Sequence, residues 1–411
     1  MKKLKIIFSP RNLVIMVSVF LLFVTLPEIT NPAMSQTSAI VTMLCIDKQD
    51  DEIVIAPTVL TPADGKKADY QVYSAKGKTL AQAVDNVSLL IGKDIGFAQC
   101  EIMALGDKLC EESIVPVLDY ITRTKKVGRN AVLINFVGDL MDFSHAISDL
   151  NDEKSLKLEN IINFGKRYII SQDSNIESFY KGYFSDISLG VMPKVKLQTQ
   201  ETETAIQVSS TDGSGSSIES TSTKDTEQEK KYIINDGTTC IFKQGIKRFE
   251  LTPKDVKKLN IFLNQTQEGS ILIENITDEI MTDASVILNV EDKEIKYSTE
   301  FKDNKPIFKA NVELLTFIEE VDQSHVDDKF LRRNAEFFTP AVIQGVKDKV
   351  ISDMQEVVDL CRENKTDLIG VYKYFYRFHY NDFNKYLKEV GIDNYLDNIE
   401  FQFSVEVNSK Y

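Results

Sequence analysis

Three histidines, His145, His325 and His379, are the only imidazoles among 411 residues. They lie far apart and in none of the spacings, such as His-Glu-x-x-His, that set two metal ligands on one helix face. Solvated or capping roles suit them. The carboxylates Glu319, Glu320, Asp322, Asp327 and Asp328 crowd together as a cation site requires. They lack the fixed Asp/Asn spacing and turn glycine of a calcium loop, so a solvated acidic turn is expected. Gly213-Ser214-Gly215 precedes no helix and cradles no phosphate. No Gly-x-Ser-x-Gly elbow, P-loop or Gly-x-Gly-x-x-Gly occurs. Cys45, Cys100, Cys110, Cys240 and Cys361 share no Cys-x-x-Cys spacing, which argues against zinc and against a disulfide framework. Apolar neighbours, as in Met43-Leu44-Cys45-Ile46, predict buried free thiols. Asn86, Asn264, Asn275 and Asn364 head Asn-x-Ser/Thr triplets, which matter only in a eukaryotic secretory pathway. Tyr372, Tyr374, Phe375, Tyr376 and Phe378 have the look of an aromatic ligand platform. Only Lys373 and Arg377 interrupt them, so a packed core helix is expected instead. No catalytic, metal-binding or cofactor-binding residue is assigned, no ligand-binding residue is identified, and no enzyme activity is expected.

The elements that would position any site must come from a chain too long for one ordinary core, so two or three domains are expected. Hydrophobic residues make up 43% and charged residues 27%, the proportions of a globular protein. The net charge is −14, and the first 35 residues, with Lys2, Lys3, Lys5 and Arg11 against Glu28, are its basic part. An acidic remainder argues against nucleic acid and against direct adhesion to anionic lipid. After the basic cluster, residues 13–26 are uncharged and apolar, the length of a signal-peptide core and short of the roughly 20 residues that span a bilayer. Including Ile6, Ile7 and Phe8 would let the segment span, with Arg11 as the cost. Ala33-Met34-Ser35 offers a weak cleavage site, so cleavage and retention both stay open. Positive charge ahead of the segment directs the rest outward, and an extracytoplasmic protein is expected.

Residues 39–197 alternate strands and helices. Ile53-Val54-Ile55 and Tyr70-Gln71-Val72-Tyr73 read as strands, the second running into a turn at Ala75-Lys76-Gly77-Lys78. Thr79 caps a helix whose stripe is Leu80, Val84, Val87 and Ile91, with Gly92 to end it. A strand is predicted over residues 97–105 and one helix over 109–122, with Ile114, Leu118 and Ile121 on one face. The apolar run Ala131-Val132-Leu133-Ile134-Asn135-Phe136-Val137 predicts a strand covered on both sides. Residues 198–231 are nearly devoid of apolar side chains and form either a linker or a long loop. Residues 232–320 hold β-prone runs at 237–243, 270–274, 284–290, 294–301 and 309–317, a strand-rich middle domain with a short helix after Thr252-Pro253. In residues 321–411, Thr339-Pro340 starts a helix with Val342, Val346, Val350, Met354, Val357 and Cys361 on one side and Lys347, Asp348, Lys349 and Asp353 on the other, closed by Asn364. Residues 399–407 alternate apolar and polar without a break, a half-buried strand. The fold class is α+β, with mixed sheets, packed helices and an N-terminal anchor at 1–38.

At three places, near the start, in the middle and at the end, residues resemble the Ger(x)C family, the C subunits of spore germinant receptors. Ala39-Ile40-Val41-Thr42-Met43-Leu44-Cys45-Ile46-Asp47-Lys48 is similar to the family's A-x-V-x-G-x-G-I-D-K strand, with Met43 and Cys45 in place of glycines. Gly77-Lys78-Thr79-Leu80 and Ala83, then Phe97, Ile114, Leu118-Asp119, Arg123 and Arg129-Asn130, follow its strand–helix alternation. Gly237, Cys240-Ile241-Phe242-Lys243 resembles its G-x-A-V-F-K entry into the middle domain. Asp367-Leu368-Ile369-Gly370, with Tyr376-Arg377 and Phe383 beyond, resembles its D-x-x-G-F-G…R…W element, phenylalanine standing for tryptophan. The family's usual lipidated cysteine after the signal is missing, since the first cysteine, Cys45, lies within a strand.

The resemblance implies a three-domain, non-catalytic protein outside the spore inner membrane of an endospore-forming bacterium. It implies work with an A subunit and a transporter-like B subunit in converting nutrient binding into germination, by receptor assembly or signal relay. Attachment would fall to residues 6–26. Two other classes compete: an extracytoplasmic solute-binding or adaptor module, which needs convergent polar groups in a pocket, and a secreted enzyme, which needs a nucleophile and base.

Overall fold

The structure, a computed structural model, describes residues 38–61, 69–124, 127–151, 174–199, 231–235, 237–263, 269–303, 305–322 and 337–410. The N-terminal hydrophobic segment, nearly all of 198–231, and His325, Asp327 and Asp328 lie outside those residues. Two sheets organise the described chain.

The first is built from β1 (Ser38–Gln49), β2 (Glu52–Thr61), β3 (Asp69–Val72), β4 (Ala75–Gly77), then, after helix α1 (Leu80–Ile91), β5 (Asp94–Gly96) and β6 (Ile102–Gly106). Helices α2 (Asp107–Glu112) and α3 (Val115–Thr124) lead to β7 (Val132–Val137), and α4 (Leu140–Asn151) and α5 (Ile176–Tyr183) precede β8 (Leu189–Thr199). β9 (Lys231–Ile234), β10 (Thr239–Lys243) and β11 (Ile246–Leu251) complete it in the order β11-β10-β8-β7-β6-β1-β2-β3. The centre, β1-β6-β7-β8, is parallel, and the flanks are antiparallel. Parallel strands need covered faces on both sides. A bulge between Val41 and Met43 in β1 sets which residues look which way. Val41, Leu44 and Ile46 face the core under α1, α2, α3 and α5, while Met43 and Cys45 face the opposite core with Phe136 and with Phe143 of α4.

The second sheet follows α6 (Pro253–Phe262). It consists of β12 (Gly269–Ile276), β13 (Ala284–Lys302) and β14 (Lys305–Val321). After α7 (Pro340–Glu363), α8 (Val371–Phe378) and α9 (Tyr380–Val390), the chain returns as β15 (Glu400–Ser409), parallel to β14, in the order β12-β13-β14-β15. One continuous core joins this sheet to α6–α9 and reaches Ile241 and Leu251 of the first sheet. Helix α7 buries Val342, Val346, Val350, Met354, Val357, Val358 and Cys361. At roughly 1.5–3 kcal/mol for each large side chain, that face is a main source of the module's stability.

Several local expectations shift. Residues 109–122 form two helices, because Pro116 has no N–H to give Glu112 O four residues back and its ring crowds that carbonyl; α2 ends at Glu112 and α3 begins at Val115. The strand predicted from residue 97 begins only at Ile102, since a turn closes with Cys100 N–H donating to Phe97 O. Residues 75–77, expected as turn, pair with β2 as β4, where a side chain on Gly77 would meet Ala83 N at 2.5 Å. The runs at 284–290 and 294–301 merge into the single 19-residue β13. Residues 232–320, expected as a unit of their own, supply strands to both sheets: β10 and β11 continue the first through β8, and β12–β14 found the second. Cross-strand pairing to partners remote in sequence decides that membership.

Candidate functional site

The residues screened for chemistry do not converge. His145 is exposed on α4, and Glu319, Glu320 and Asp322 are exposed at the end of β14. His379 sits between α8 and α9, its Nε2 2.7 Å from Thr299 O and its ring among Phe301 and Phe375. That is a packing and tethering role. Among the described residues no three metal-ligating side chains gather. The five cysteines are free and buried, and burial pushes the thiols of Cys45, Cys100, Cys240 and Cys361 up to about 12, away from reactive thiolate. The aromatic run splits: Phe375 is fully buried, whereas Tyr376, Phe378 and Tyr380 are exposed by 39%, 61% and 53%. It is half core and half surface.

The motif residues act as staples. Asp47 accepts a hydrogen bond from Leu109 N–H at 3.2 Å, tying β1 to the first turn of α2. A Cβ at Gly106 would lie 2.0 Å from the Asp47 carboxyl carbon, so only glycine lets the carboxylate reach that helix. Burial pushes the Asp47 carboxyl up from the usual range, opposed by N–H groups of Lys48 and Leu109. Lys48 pairs with Glu112 at the other end of α2. Gly237 has φ 85°, a left-handed turn into β10. From there Cys240 donates to Asn135 Oδ1 at 3.2 Å and Phe242 meets Phe179 edge-on at 5.4 Å. Lys243 reaches across to the C-terminal module, 2.6 Å from Asp393 and 3.2 Å from Lys365 O.

The Asp367–Gly370 element explains itself in the same terms. Gly370 has φ 85°, which turns the chain so that three successive N–H groups at the start of α8 point at one carboxylate. Asp367 accepts from Gly370 (2.7 Å), Val371 (3.0 Å) and Tyr372 (2.8 Å), and from the buried Tyr395 hydroxyl at 2.6 Å. A carboxylate at a helix N-terminus also meets the positive end of the helix dipole. Phe383 is fully buried, stacked on Phe375 at 5.3 Å and edge-on to Tyr372 at 5.4 Å, the packing duty expected of it.

Comparison with known proteins places the whole frame. Residues 35–197 match the family described as "Spore germination protein N-terminal domain", and residues 236–410 match "Spore germination B3/ GerAC like, C-terminal". The chain belongs to the Ger(x)C family of spore germinant receptor C subunits. The crystal structure of the GerBC protein has a similar fold, with a TM-score of 0.51 at 16% identity over 90% of this chain and 97% of that one. No curated protein sequence matches. As in the resemblance read from the sequence, the Ger(x)C elements include Asp47, Lys243 and Asp367, each of which fastens one element to another, and Gly237 and Gly370, whose left-handed turns lead into β10 and α8.

Among the cavities of the described residues, two are large enough for a small molecule. One, of about 520 Å³, lies between α3 and α5 and is lined by Ile121, Val127, Ile176, Tyr180 and Phe184. The other, of about 470 Å³, lies between α6, α7 and the sheet β12–β14. Lys349 and Asp353, expected on a solvated face of α7, pair there at 2.5 Å on its wall. The sequence offered no sign of it, because its walls come from five separated elements. Among the described residues no helix is long and apolar enough to cross a membrane.

Proposed function

We propose that this Ger(x)C chain serves its germinant receptor by assembly and signal relay at the outer face of the spore inner membrane, without catalysis. The two family matches, which together take in both modules, carry the reading. In it the chain docks on the A and B membrane subunits and is held to the bilayer by residues 6–26. The staples favour a relay: a frame in which Lys243 of β10 grips Asp393 beside α9 transmits displacement from one module to the other instead of absorbing it.

The test uses spores in which the gene is deleted in frame and restored as wild type or as Lys243→Glu. Deletion should abolish the response to the nutrients served by one receptor and deplete its A and B subunits from inner-membrane fractions. Lys243→Glu should weaken the response with the subunits present, and Lys243→Glu with Asp393→Lys should recover it. Deleted spores that answer every nutrient at the wild-type rate would sink the proposal.

A further inference from the structure

The cavity between α6, α7 and β12–β14 has a composition at odds with the rest of this acidic chain. Its floor is apolar, with Ile261, Ile271, Val290, Leu314 and Val350. Its walls and mouth carry five lysines, Lys254, Lys257, Lys258, Lys293 and Lys349, against two carboxylates, Glu274 and Asp353. Two of the lysines are already matched: Lys258 pairs with Glu356 and Lys349 with Asp353.

Lys293 is the telling one. Its amine enters the wall from β13 and donates to the carbonyl oxygens of Asn260 and Leu263 at the C-terminal end of α6. The negative end of the α6 dipole orients the cation and offsets only part of its charge. Burial alone holds this amine down at about 8, with no carboxylate acting on it. A half-buried cation without a counter-charge is costly in a folded protein. Lys254 and Lys257, exposed on α6, add positive charge at the mouth. An apolar floor under a cluster of cations fits one ligand chemistry, a single anionic head on an apolar body, in a volume typical of small-molecule sites.

We propose that this cavity binds an anionic amphiphile, its head between Lys293 and Lys257 and its apolar body over Ile271, Val290 and Leu314. The site is independent of the receptor reading and adds to it a ligand held by the C subunit itself. Either a dissolved organic anion or the head and chain of an anionic lipid could be the source.

The full chain is placed in nanodiscs of zwitterionic lipid and dialysed against 1-naphthoate, with 1-naphthylmethanol and 1-naphthylmethylamine as neutral and cationic counterparts and empty nanodiscs subtracted. Naphthoate should bind saturably at one site, at least tenfold more tightly than either counterpart. Lys257→Gln, on the rim, should weaken binding several-fold without shifting the urea-unfolding midpoint, and Lys293→Met should abolish the preference for the anion. Exchanging a third of the lipid for phosphatidylglycerol separates the sources: displaced naphthoate assigns the site to a lipid, undiminished binding to a dissolved anion. Equal binding of all three probes, no saturable binding, or naphthoate affinity unchanged in both lysine variants overturns the proposal.

Discussion

Replacing Asp367 by alanine removes the one group that satisfies four donors. Three are backbone N–H groups at the start of α8, and the fourth is the hydroxyl of Tyr395, a residue only 3% exposed. Losing an N-terminal cap costs about 1 kcal/mol. Leaving a buried hydroxyl without an acceptor adds about 1–3 kcal/mol, so Asp367→Ala should destabilise the C-terminal module by about 3 kcal/mol. Asp367→Asn keeps an acceptor oxygen but turns an amide donor toward other donors, at about half that cost. Tyr395→Phe removes only the fourth donor, at about 1 kcal/mol. Urea unfolding followed by tyrosine fluorescence reads the loss, in a chain with 15 tyrosines and no tryptophan. Hydrogen exchange localises it, because the amides of Gly370, Val371 and Tyr372 should lose protection first. If Asp367→Ala shifted stability by less than about 0.5 kcal/mol, the size of an ordinary surface change, the stapling argument would be refuted for this element and weakened for Asp47.

Two more outcomes are expected. Val346, fully buried on α7 and away from the lysine-lined cavity, should not tolerate aspartate, which costs several kcal/mol or forces its own protonation, whereas Lys347→Asp should change stability by about 0.5 kcal/mol or less; equal melting of the two variants would contradict the buried face. Lys293 titrates at about 8 against an ordinary 10.5, so between those values the unfolded chain binds more protons and folded stability rises with pH. Wild type should gain about 2 kcal/mol over Lys293→Met between pH 8 and pH 10.5, after discounting for its partial exposure, and parallel curves would show that the amine is not held in its folded environment.

What could be read from residues alone was whatever short-range physics decides. Thr79 accepts from Gln82 N–H at 3.2 Å and Gly92 closes α1 at φ 70°, where the cap and stop signals put them. Thr339-Pro340 opens α7, and odd residues of β15 turn inward while even ones stay exposed. The break at Pro116 was also local and was there to be read. Sheet membership was not, since β10 pairs with β8 across a long insertion whose composition says nothing about register. Lys293 shows the other limit. In sequence it is one lysine among charged neighbours, and only the carbonyls of Asn260 and Leu263, brought from α6, make it a wall of a cavity.

The parallel pairing of β15 with β14 has a consequence for how the protein is made. β14 lies between β13 and β15, and α7, α8 and α9 are synthesised before its second neighbour exists. A nascent chain that has emerged as far as α9 carries a sheet with one long open edge, bordered by Phe308, Val312 and Leu314. Folding of this module therefore has to wait until β15 clears the ribosome, while the first sheet can close as soon as β11 is out. During that interval the unpaired edge is where a chaperone is needed, and where two incomplete chains would join.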